Sequence, residues 1–303
     1  MVDILTLNYN DSLTTISFVE RVKSYDLISR IIIVDNNSSD DSFVELSRIV
    51  SDKIILLKSP RNGGYGAGNN YGIRYAKEYL KSKYVLLANP DVIIEEDVIA
   101  HLFDYIRENS KCALVAPFMC DSCGIRQANS AFRLPSAWQY SLSLNIIISK
   151  FHTPMRYRSL VDTDAKVLNV GGVSGSCFMM DVDKFIEVDG FDENIFLYCE
   201  EVVLGQKMKK AGYDIILLPQ INFIHNHSVS ISKTIKSSVE RQKCLYDSKL
   251  YVLKEYYKIP SLALCILRLR AKVSLFVQLC LGFVHKIQSP LISPALIPSI
   301  IWL

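Results

Sequence analysis

The hydrophobic pattern of this chain alternates between two kinds of segment over its first 90 residues. Short continuous apolar runs, which predict buried strands, lie at residues 4–7, 31–35, 53–57 and 84–88. Stretches with helical spacing lie between them, at about 11–24, from Ser39 or Asp40 to about 50, and after a Gly- and Asn-rich loop to about 81. Strand and helix therefore alternate, which predicts a mostly parallel, doubly wound α/β sheet with flanking helices and right-handed crossovers.

The pattern loosens after residue 91. We expect a helix at 97–109, short strands and turns at 111–133, a strand at 177–181, and a helix that starts in the acidic segment 189–204 and ends near 212. Residues 134–168 are weakly patterned. We therefore predict one domain at 1–230, with a regular first half at about 1–95 and a looser second half at about 96–230, followed by a tail at 231–303.

The tail is both apolar and basic. From residue 259 it is rich in Leu, Ile, Val and Phe, with basic side chains at Arg268, Arg270, Lys272, His285 and Lys286. Its charge-free run at 273–284 is 12 residues long, short of the ~20 that span a bilayer. Prolines at 290, 294 and 298 exclude one long helix. Such a C-terminal apolar helical appendage is suited to an anionic membrane surface. Helices packed on the domain or on a partner subunit are the alternative.

Composition excludes some classes of function. The chain has 303 residues, of which 50% are hydrophobic and 21% charged, as in ordinary globular proteins. Its net charge of +3 is too small to argue for a nucleic acid partner. Cys120 and Cys123 form a lone CxxC pair, which supports zinc only weakly, and the eight scattered cysteines predict free thiols in a reducing cytosol. The N-terminus begins like a strand, so we expect no signal peptide and a cytoplasmic protein.

Carboxylates follow two of the predicted strands. Asp91 comes just after the 84–88 strand and is preceded by Asn89, and Asp35 ends the second strand. Ligands of open α/β sheets bind at the carboxyl ends of strands. Asp91 is therefore placed to hold a divalent metal against a phosphate, and Asp35 to accept from the N3–H of uracil or thymine. The alternatives are a turn in which Asn89 and Asp91 bond their own backbone, and a helix-capping cluster after Asp35.

The Gly- and Asn-rich segment at 61–70 predicts a loop whose backbone approaches a ligand and then opens a helix. Its glycines break the dinucleotide-binding spacing, and no Lys-Ser or Lys-Thr follows, so it is not a P-loop. A helix N-terminus favours anions, which suits a phosphate. A plain loop-to-helix junction is the alternative.

Two further groups are candidates for chemistry. Glu200 and Glu201 are adjacent at a helix start, so one can face a cleft while the other caps or pairs, unless both are merely solvated. His225 and His227 share one face of an extended segment and suit a metal, although a loop histidine is an equal alternative.

Taken in order, the segments at 6–10, 34–40, 62–69, 89–91 and 190–193, with Glu200, Glu201 and His225, resemble inverting nucleotide-sugar glycosyltransferases of family 2. The resemblance covers roughly residues 3–230 and implies the GT-A-type, Rossmann-like fold. Within the family it is strongest to the bacterial rhamnosyltransferase-like branch, which builds surface polysaccharides such as O-antigen.

The resemblance implies a role for each matching residue. Those that would bind the nucleotide-sugar are Asn8, Tyr9, Asp35, Asn62, Gly63, Gly64, Asn69, Asn89, Gly172 and Ser174. Asp91 and His225 would hold Mn²⁺ or Mg²⁺. Glu201 would be the catalytic base, with Glu200 beside it. The implied donor is a dTDP- or UDP-sugar, and the acceptor is lipid-linked or an oligosaccharide, reached at the cytoplasmic membrane surface. A homo-oligomer is a further partner to consider.

The acidic segment departs from the family pattern. Val203 stands where many relatives carry a second acidic residue, and Glu201 is one methylene longer than the usual aspartate. Either the base reaches differently, or Glu200 contributes, or the chain is a weak or inactive member that serves as a binding or scaffold subunit. A sugar-nucleotide pyrophosphorylase is disfavoured because the first strand–helix turn lacks a Gly-rich basic signature.

Overall fold

The computed structural model describes residues 1–145, 155–157, 159–226 and 237–288. The chain forms two compact units, one from Met1–Leu134 and Arg156–Thr234, the other from Pro135–Met155 and Ile235–Leu303. The predicted division at residue 230 stays a prediction. The contacts add that residues 135–145 group with the C-terminal part of the chain.

The first unit is built on a curled central sheet. The strands of this unit are β1 (Val2–Asn8), β2 (Ile28–Asp35), β3 (Ile54–Lys58), β4 (Tyr84–Ala88), β5 (Val92–Ile93), β6 (Cys112–Cys120), β7 (Ala131–Phe132), β8 (Leu168–Asn169), β9 (Gly172–Val173), β10 (Cys177–Asp181) and β11 (Asp214–His225). Of these, β7 and β9 form a separate two-stranded ribbon. The order in the sheet is β3-β2-β1-β4-β10-β6-β11-β5, with β8 beside β11. The first four strands are parallel, as predicted, whereas β10 runs antiparallel to both β4 and β6.

Helices cover both faces of this sheet. They are α1 (Ser12–Val22), α2 (Ser42–Ser47), α3 (Gly64–Tyr75), α4 (Glu96–Glu108), α6 (Val182–Glu187) and α7 (Glu200–Ala211). Because both faces are covered, β2 reads as a continuous apolar run. Ile31 and Ile33 join one core cluster, and Ile32 and Val34 join another. The predicted α/β fold with flanking helices is confirmed.

One prediction about the sheet is only partly right. Residues 111–133 contain turns and the short strand β7, as predicted, but Cys112–Cys120 is one long strand with every residue buried. Neighbours β10 and β11 bond it on both edges. A strand buried in this way shows no alternation of apolar and polar residues, which is why its length was misjudged.

The predicted loop at 61–70 is also mostly helix. α3 begins at Gly64, and its glycines face the sheet or a neighbouring turn at very short range. A Cβ on Gly68 would lie 2.5 Å from Leu7 Cδ1, and a Cβ on Gly72 would lie 2.3 Å from Leu5 Cδ1. These glycines therefore allow α3 to approach β1 more closely than any other residue type could.

Replacing Gly64 with alanine should destabilise this unit more than replacing Gly124. Both residues have left-handed backbones, with φ of 89° and 77°, so either alanine costs about 1 kcal/mol or more in strain. A Cβ on Gly64 would also lie 1.9 Å from the Phe196 carbonyl oxygen, whereas at Gly124 nothing lies within 4 Å. In urea unfolding, we expect Gly64→Ala to lose more than about 3 kcal/mol. Equal losses for the two variants would contradict this packing role.

The second unit is helical. Its helices are α5 (Ala137–Leu142), α8 (Ser238–Glu255) and α9 (Ser261–Gln288). The Tyr257 hydroxyl donates to the Pro135 carbonyl over 2.6 Å, and the Tyr257 ring lies 5.8 Å from that of Tyr140. Residues 261–288 form one helix, and the prolines at 290, 294 and 298 lie outside the described residues. Within the described part of the chain, no helix combines the length and apolarity needed to cross a membrane.

Candidate active site

The ends of β1 and β2 carry two predicted nucleotide-binding residues side by side. Asn8 pairs in register with Asp35, and its Nδ2 donates to Asp35 Oδ1 over 2.9 Å. Asp35 Oδ1 also accepts from the Ser38 hydroxyl, and Oδ2 accepts from the Ser38 backbone N–H at 3.0 Å. Asn8 and Asp35 are both 0% exposed. The carboxylate therefore holds the turn after β2, while Oδ2 retains acceptor capacity.

The turns after β1 and β2 are fastened together by Asn10. Its backbone N–H donates to Ser38 Oγ, and its Oδ1 accepts from the Ser39 backbone N–H, both at 2.9 Å. Asn10 has a left-handed φ of 53°, which asparagine tolerates better than most residues. Tyr9 is half-buried beside this junction. Asn10 and Ser38 thus shape the predicted nucleotide site, although sequence analysis gave neither a role.

The start of α3 is occupied by contacts within the chain. Asn62 Oδ1 accepts from the Gly64 N–H and from Asn36 Nδ2, both at 3.1 Å. The Tyr65 N–H donates to the Phe196 carbonyl at 3.1 Å. Two of the first backbone donors of this helix are therefore used within the chain, and contact between this loop and a phosphate stays a prediction.

Asn69 and Asn70 support α3 and its neighbours. Asn69 is 1% exposed and donates from Nδ2 to the Tyr65 carbonyl at 3.0 Å. The amide is thus turned along its own helix, and its contact with a nucleotide stays a prediction. Asn70 Oδ1 accepts from the Phe191 N–H and Nδ2 donates to the Phe191 carbonyl, at 3.1 and 2.9 Å. Gly63, the N-cap residue of α3, is half-buried, and its contact with a ligand stays a prediction.

Asp91 and His225 meet beside the edge strand β5. The short strand β5 pairs with the end of β11, so that Val92 lies opposite His225. His225 Nε2 lies 3.1 Å from Asp91 Oδ1, and less than a tenth of either side chain is exposed. The Asn226 N–H donates to the Asp91 carbonyl at 3.0 Å. The structure therefore brings the two predicted metal ligands together, while His227 lies outside the described residues.

This pair fits a divalent ion. A carboxylate and an imidazole suit Mn²⁺ and leave positions for phosphate oxygens and water. Across the part of the chain that the structure describes, no three His, Cys, Asp or Glu side chains group to hold a metal. Among the described residues, the Asp91–His225 pair therefore offers two ligands. The same finding gives no support to zinc at Cys120, which is buried, and Cys123, which is exposed.

The turn at 171–176 carries two further predicted residues. Gly172 is buried opposite Phe132 in the ribbon of β7 and β9, and a Cβ there would lie 2.2 Å from the Phe132 ring. The half-buried Ser174 hydroxyl lies 2.9 Å from the Ser176 hydroxyl, and the Ser174 N–H donates to the Ser130 carbonyl at 3.0 Å. Packing and hydrogen bonds on both sides therefore fix this turn.

A strained turn presents the two glutamates at the start of α7. Tyr198 and Cys199 precede them with consecutive left-handed backbones, φ 70° and 73°. Such conformations are outliers for bulky residues and cluster at functional sites. Glu200 is 2% exposed, and Glu201 is partly exposed. The adjacent side chains therefore have different access to solvent.

Gly175 and Tyr65 complete the surroundings of Glu201. The Gly175 backbone lies against the Glu201 carboxylate and lowers its pKa, and a Cβ on Gly175 would lie 2.4 Å from Glu201 Oε1. The Tyr65 hydroxyl donates to the Gly175 carbonyl. Neither residue was predicted. Their contacts join segments 110 residues apart, so no local pattern could have identified them.

Burial raises the pKa of Glu200, Glu201 and Tyr65. Burial and the neighbouring Glu201 charge raise the pKa of Glu200 well above its usual range. Burial also raises the pKa of Glu201, but backbone hydrogen bonds, including that from Gly175, act against the increase. Glu200 therefore resists ionisation, while the Gly175 backbone favours the ionised form of Glu201. Burial and both carboxylates raise the pKa of Tyr65 well above its usual range, so it stays a neutral donor.

The two acidic groups lie along one connected edge. The Asn89 N–H donates to the Ser176 carbonyl at 2.8 Å, which ties the 171–176 turn to the strand end before Asp91. One residue earlier, Gly175 contacts Glu201. A site with an aspartate–histidine pair suited to a metal on one side and a carboxylate on the other has the groups needed to displace a phosphate-bearing leaving group.

Comparisons with known proteins agree with this geometry. A family model described as glycosyl transferase family 2 matches residues 3–189. The low-salt glycan biosynthesis hexosyltransferase Agl10 of Haloferax volcanii is 26% identical over 227 residues, which cover 75% of this chain and 67% of the relative. The N-acetylglucosaminyl-diphospho-decaprenol L-rhamnosyltransferase of Mycobacterium tuberculosis is 27% identical over 215 residues, 67% of this chain and 68% of the relative.

A solved structure supports the fold. The mannosyltransferase PcManGT from Pyrobaculum calidifontis, in complex with GDP-Man and Mn²⁺, aligns with a TM-score of 0.55 at 12% identity. The alignment covers 95% of this chain and 81% of the other. At this identity the likeness concerns the fold alone, and it confirms the predicted GT-A-type architecture.

Proposed function

The chain belongs to glycosyltransferase family 2, and from this premise we propose that it transfers a sugar, with rhamnose as the first candidate, from a dTDP- or UDP-linked donor to a lipid-linked or oligosaccharide acceptor. Transfer proceeds with inversion and needs Mn²⁺ or Mg²⁺. The family match favours transfer over the pyrophosphorylase alternative. The observation that carries the proposal is the connected edge from Asp91 and His225, through the 171–176 turn, to Glu201.

The Asp91–His225 pair supports metal-assisted departure of the nucleoside diphosphate. A bound divalent metal offsets the negative charge that builds on the leaving phosphate. Asp91 and His225 would hold that metal, and their burial keeps both side chains in place. Asn89, at the preceding strand end, fixes the 171–176 turn beside them.

Glu201 supports a single displacement. The acceptor hydroxyl must lose a proton as it attacks the sugar carbon from the face opposite the leaving group. Ionised Glu201, oriented by the Gly175 N–H, accepts that proton. One displacement inverts the anomeric carbon, and no covalent nucleophile is needed. Glu200, still protonated, leaves Glu201 as the single charged carboxylate of the pair.

The β1 and β2 ends support binding of the nucleotide. In the proposed complex, Asp35 Oδ2 accepts from the N3–H of a pyrimidine base, an N–H that adenine lacks. Asp35 is fully buried, so this contact requires the turn held by Ser38 and Asn10 to shift when nucleotide binds. Tyr9, Asn62 and the N-cap Gly63 lie at the same edge.

The acceptor assignment follows from the relatives. The name of the mycobacterial relative describes a rhamnosyl transfer to a sugar carried on a diphospho-polyprenol. We extend this acceptor class to the present chain, acting at the cytoplasmic face of a membrane in the synthesis of a surface polysaccharide such as O-antigen. Gly172 and Ser174, in the fixed 171–176 turn, border the acceptor in this proposal.

A donor panel tests the proposal. We expect calorimetry with Mn²⁺ to show tighter binding of dTDP- and UDP-sugars than of GDP- or ADP-sugars, and dTDP-rhamnose to support transfer to a lipid-linked N-acetylglucosamine acceptor. Because Asp35 accepts from N3–H of either pyrimidine, it does not discriminate between uracil and thymine. Tighter binding of GDP than of UDP and dTDP would overturn the base assignment. Binding without transfer to any acceptor would favour a scaffold subunit.

A further inference from the structure

Helix α9 carries an apolar stripe on its outward face. Five large side chains of this helix are 54–76% exposed, namely Leu262, Ile266, Leu269, Val273 and Phe276. Their spacing of four, three, four and three residues puts them on one face of a helix. Exposed apolar patches of this continuity mark interaction surfaces in soluble proteins.

The packing of the second unit does not use this stripe. The same helix buries a separate set on its other side, namely Leu264, Leu267, Ala271 and Ser274. α9 lies along α8, and the Ser274 hydroxyl donates to the Leu144 carbonyl over 3.1 Å. α9 therefore has two apolar faces, of which one packs within the second unit and the other is exposed.

The charged residues of α9 that border the stripe are all cations. At 100° per residue, Arg270 and Lys272 fall roughly 80° to either side of its centre, and Arg268 lies beyond Lys272. Arg268 and Lys272 are exposed. From residue 256 to residue 303 the sequence contains no Asp and no Glu. Long basic side chains at the border of an apolar face can reach anionic headgroups while the face enters the acyl boundary.

A second copy of the chain is a poorer occupant. The four-three spacing also matches the a and d positions of a coiled coil, in which e and g positions usually pair opposite charges. Here those flanking positions include Arg270 and Lys272 and no acidic residue. Two copies would set cations against cations, whereas an anionic lipid surface complements them.

We propose that the stripe on α9 binds the surface of a membrane that contains anionic lipid, with the helix lying in the interface plane. This inference depends on the proposed function only for its purpose, which is to hold the enzyme beside a lipid-linked acceptor. The binding itself needs neither donor nor turnover, so it can be tested separately.

Liposome flotation of the full chain tests the proposal. Vesicles of phosphatidylcholine with phosphatidylglycerol should carry the wild-type protein upward, and high salt should weaken this without abolishing it. Ile266→Asp with Leu269→Asp should reduce the bound fraction by at least about tenfold. The matched control, Leu13→Asp with Val44→Asp, adds the same charge at side chains that are 77% and 54% exposed on other helices. It should float like wild type.

A second double variant tests the role of the basic side chains beside the stripe. Arg268→Glu with Lys272→Glu should remove the preference for phosphatidylglycerol over pure phosphatidylcholine vesicles. Circular dichroism and nucleotide-sugar binding should match wild type in every variant, which separates a docking defect from misfolding. Unchanged flotation of the Ile266 and Leu269 variant would overturn the proposal. So would a wild-type dimer that does not float and that this variant converts to monomer, because the stripe would then be a seam between copies.

Discussion

Replacing Glu201 with glutamine should lower turnover by about 10²–10⁴-fold, the range typical of removing a general base. Glutamine keeps the size of the side chain and can still contact the Gly175 backbone, but it cannot take a proton from the acceptor hydroxyl. Calorimetry should therefore show unchanged binding of the nucleotide-sugar, while the single-turnover rate falls. The acid limb of the pH–rate profile should lie above the ordinary range of a glutamate in wild type, because burial raises the pKa of Glu201.

Glu200→Gln is the matched control. Burial and the Glu201 charge raise the pKa of Glu200 well above its usual range, and a glutamine is close in shape and charge to a protonated glutamate. We therefore expect turnover within a few-fold of wild type. If Glu200→Gln is the damaging change and Glu201→Gln is silent, the base has been assigned to the wrong carboxylate. If wild type itself shows no turnover with any donor, the scaffold alternative gains support.

Asp91→Asn should reduce turnover by about 10²–10³-fold, the cost of losing one electrostatic stabiliser of a transition state. Asparagine preserves the shape of the side chain but removes the anionic ligand, so the variant should need much more Mn²⁺ to reach half of its maximal rate. Titrating Mn²⁺ against the rate measures this directly. Asp183→Asn, on an exposed aspartate of α6, controls for charge alone and should behave like wild type. Full wild-type activity in excess EDTA would exclude the metal role.

The arrangement of the first strands was predictable because it depends on local periodicity and on right-handed crossovers. The position of α3 was not, because glycine usually opposes helix and its use here depends on the distance between this helix and β1. Similarly, the fully buried β6 lacks the alternation by which strands are recognised. Both errors arose where tertiary packing overrides local preference.

The residues of the site likewise divide into those that a local pattern indicates and those that depend on tertiary contacts. Asp35 and Asp91 were predictable as candidates because strand ends converge, and His225 because it matches a family position. The contacts of Tyr65 and Gly175 join distant segments of the fold, so no local pattern indicates them. Nor does the sequence show that the Asn69 amide bonds to its own helix. The protonation difference between Glu200 and Glu201 depends on burial, which adjacent residues in a sequence do not reveal.

The glycines of α3 affect what can be concluded from the sequences of homologues. Since Gly68 and Gly72 are required by the distance between helix and sheet, a lineage that loses catalysis but keeps its fold is expected to retain them. Inheritance of this glycine pattern therefore diagnoses ancestry and architecture, and it says nothing about whether a given homologue still works. In the proposed mechanism, the acidic pair, the Asp91–His225 pair and the turn between them are the features that separate a working enzyme from a silent paralogue.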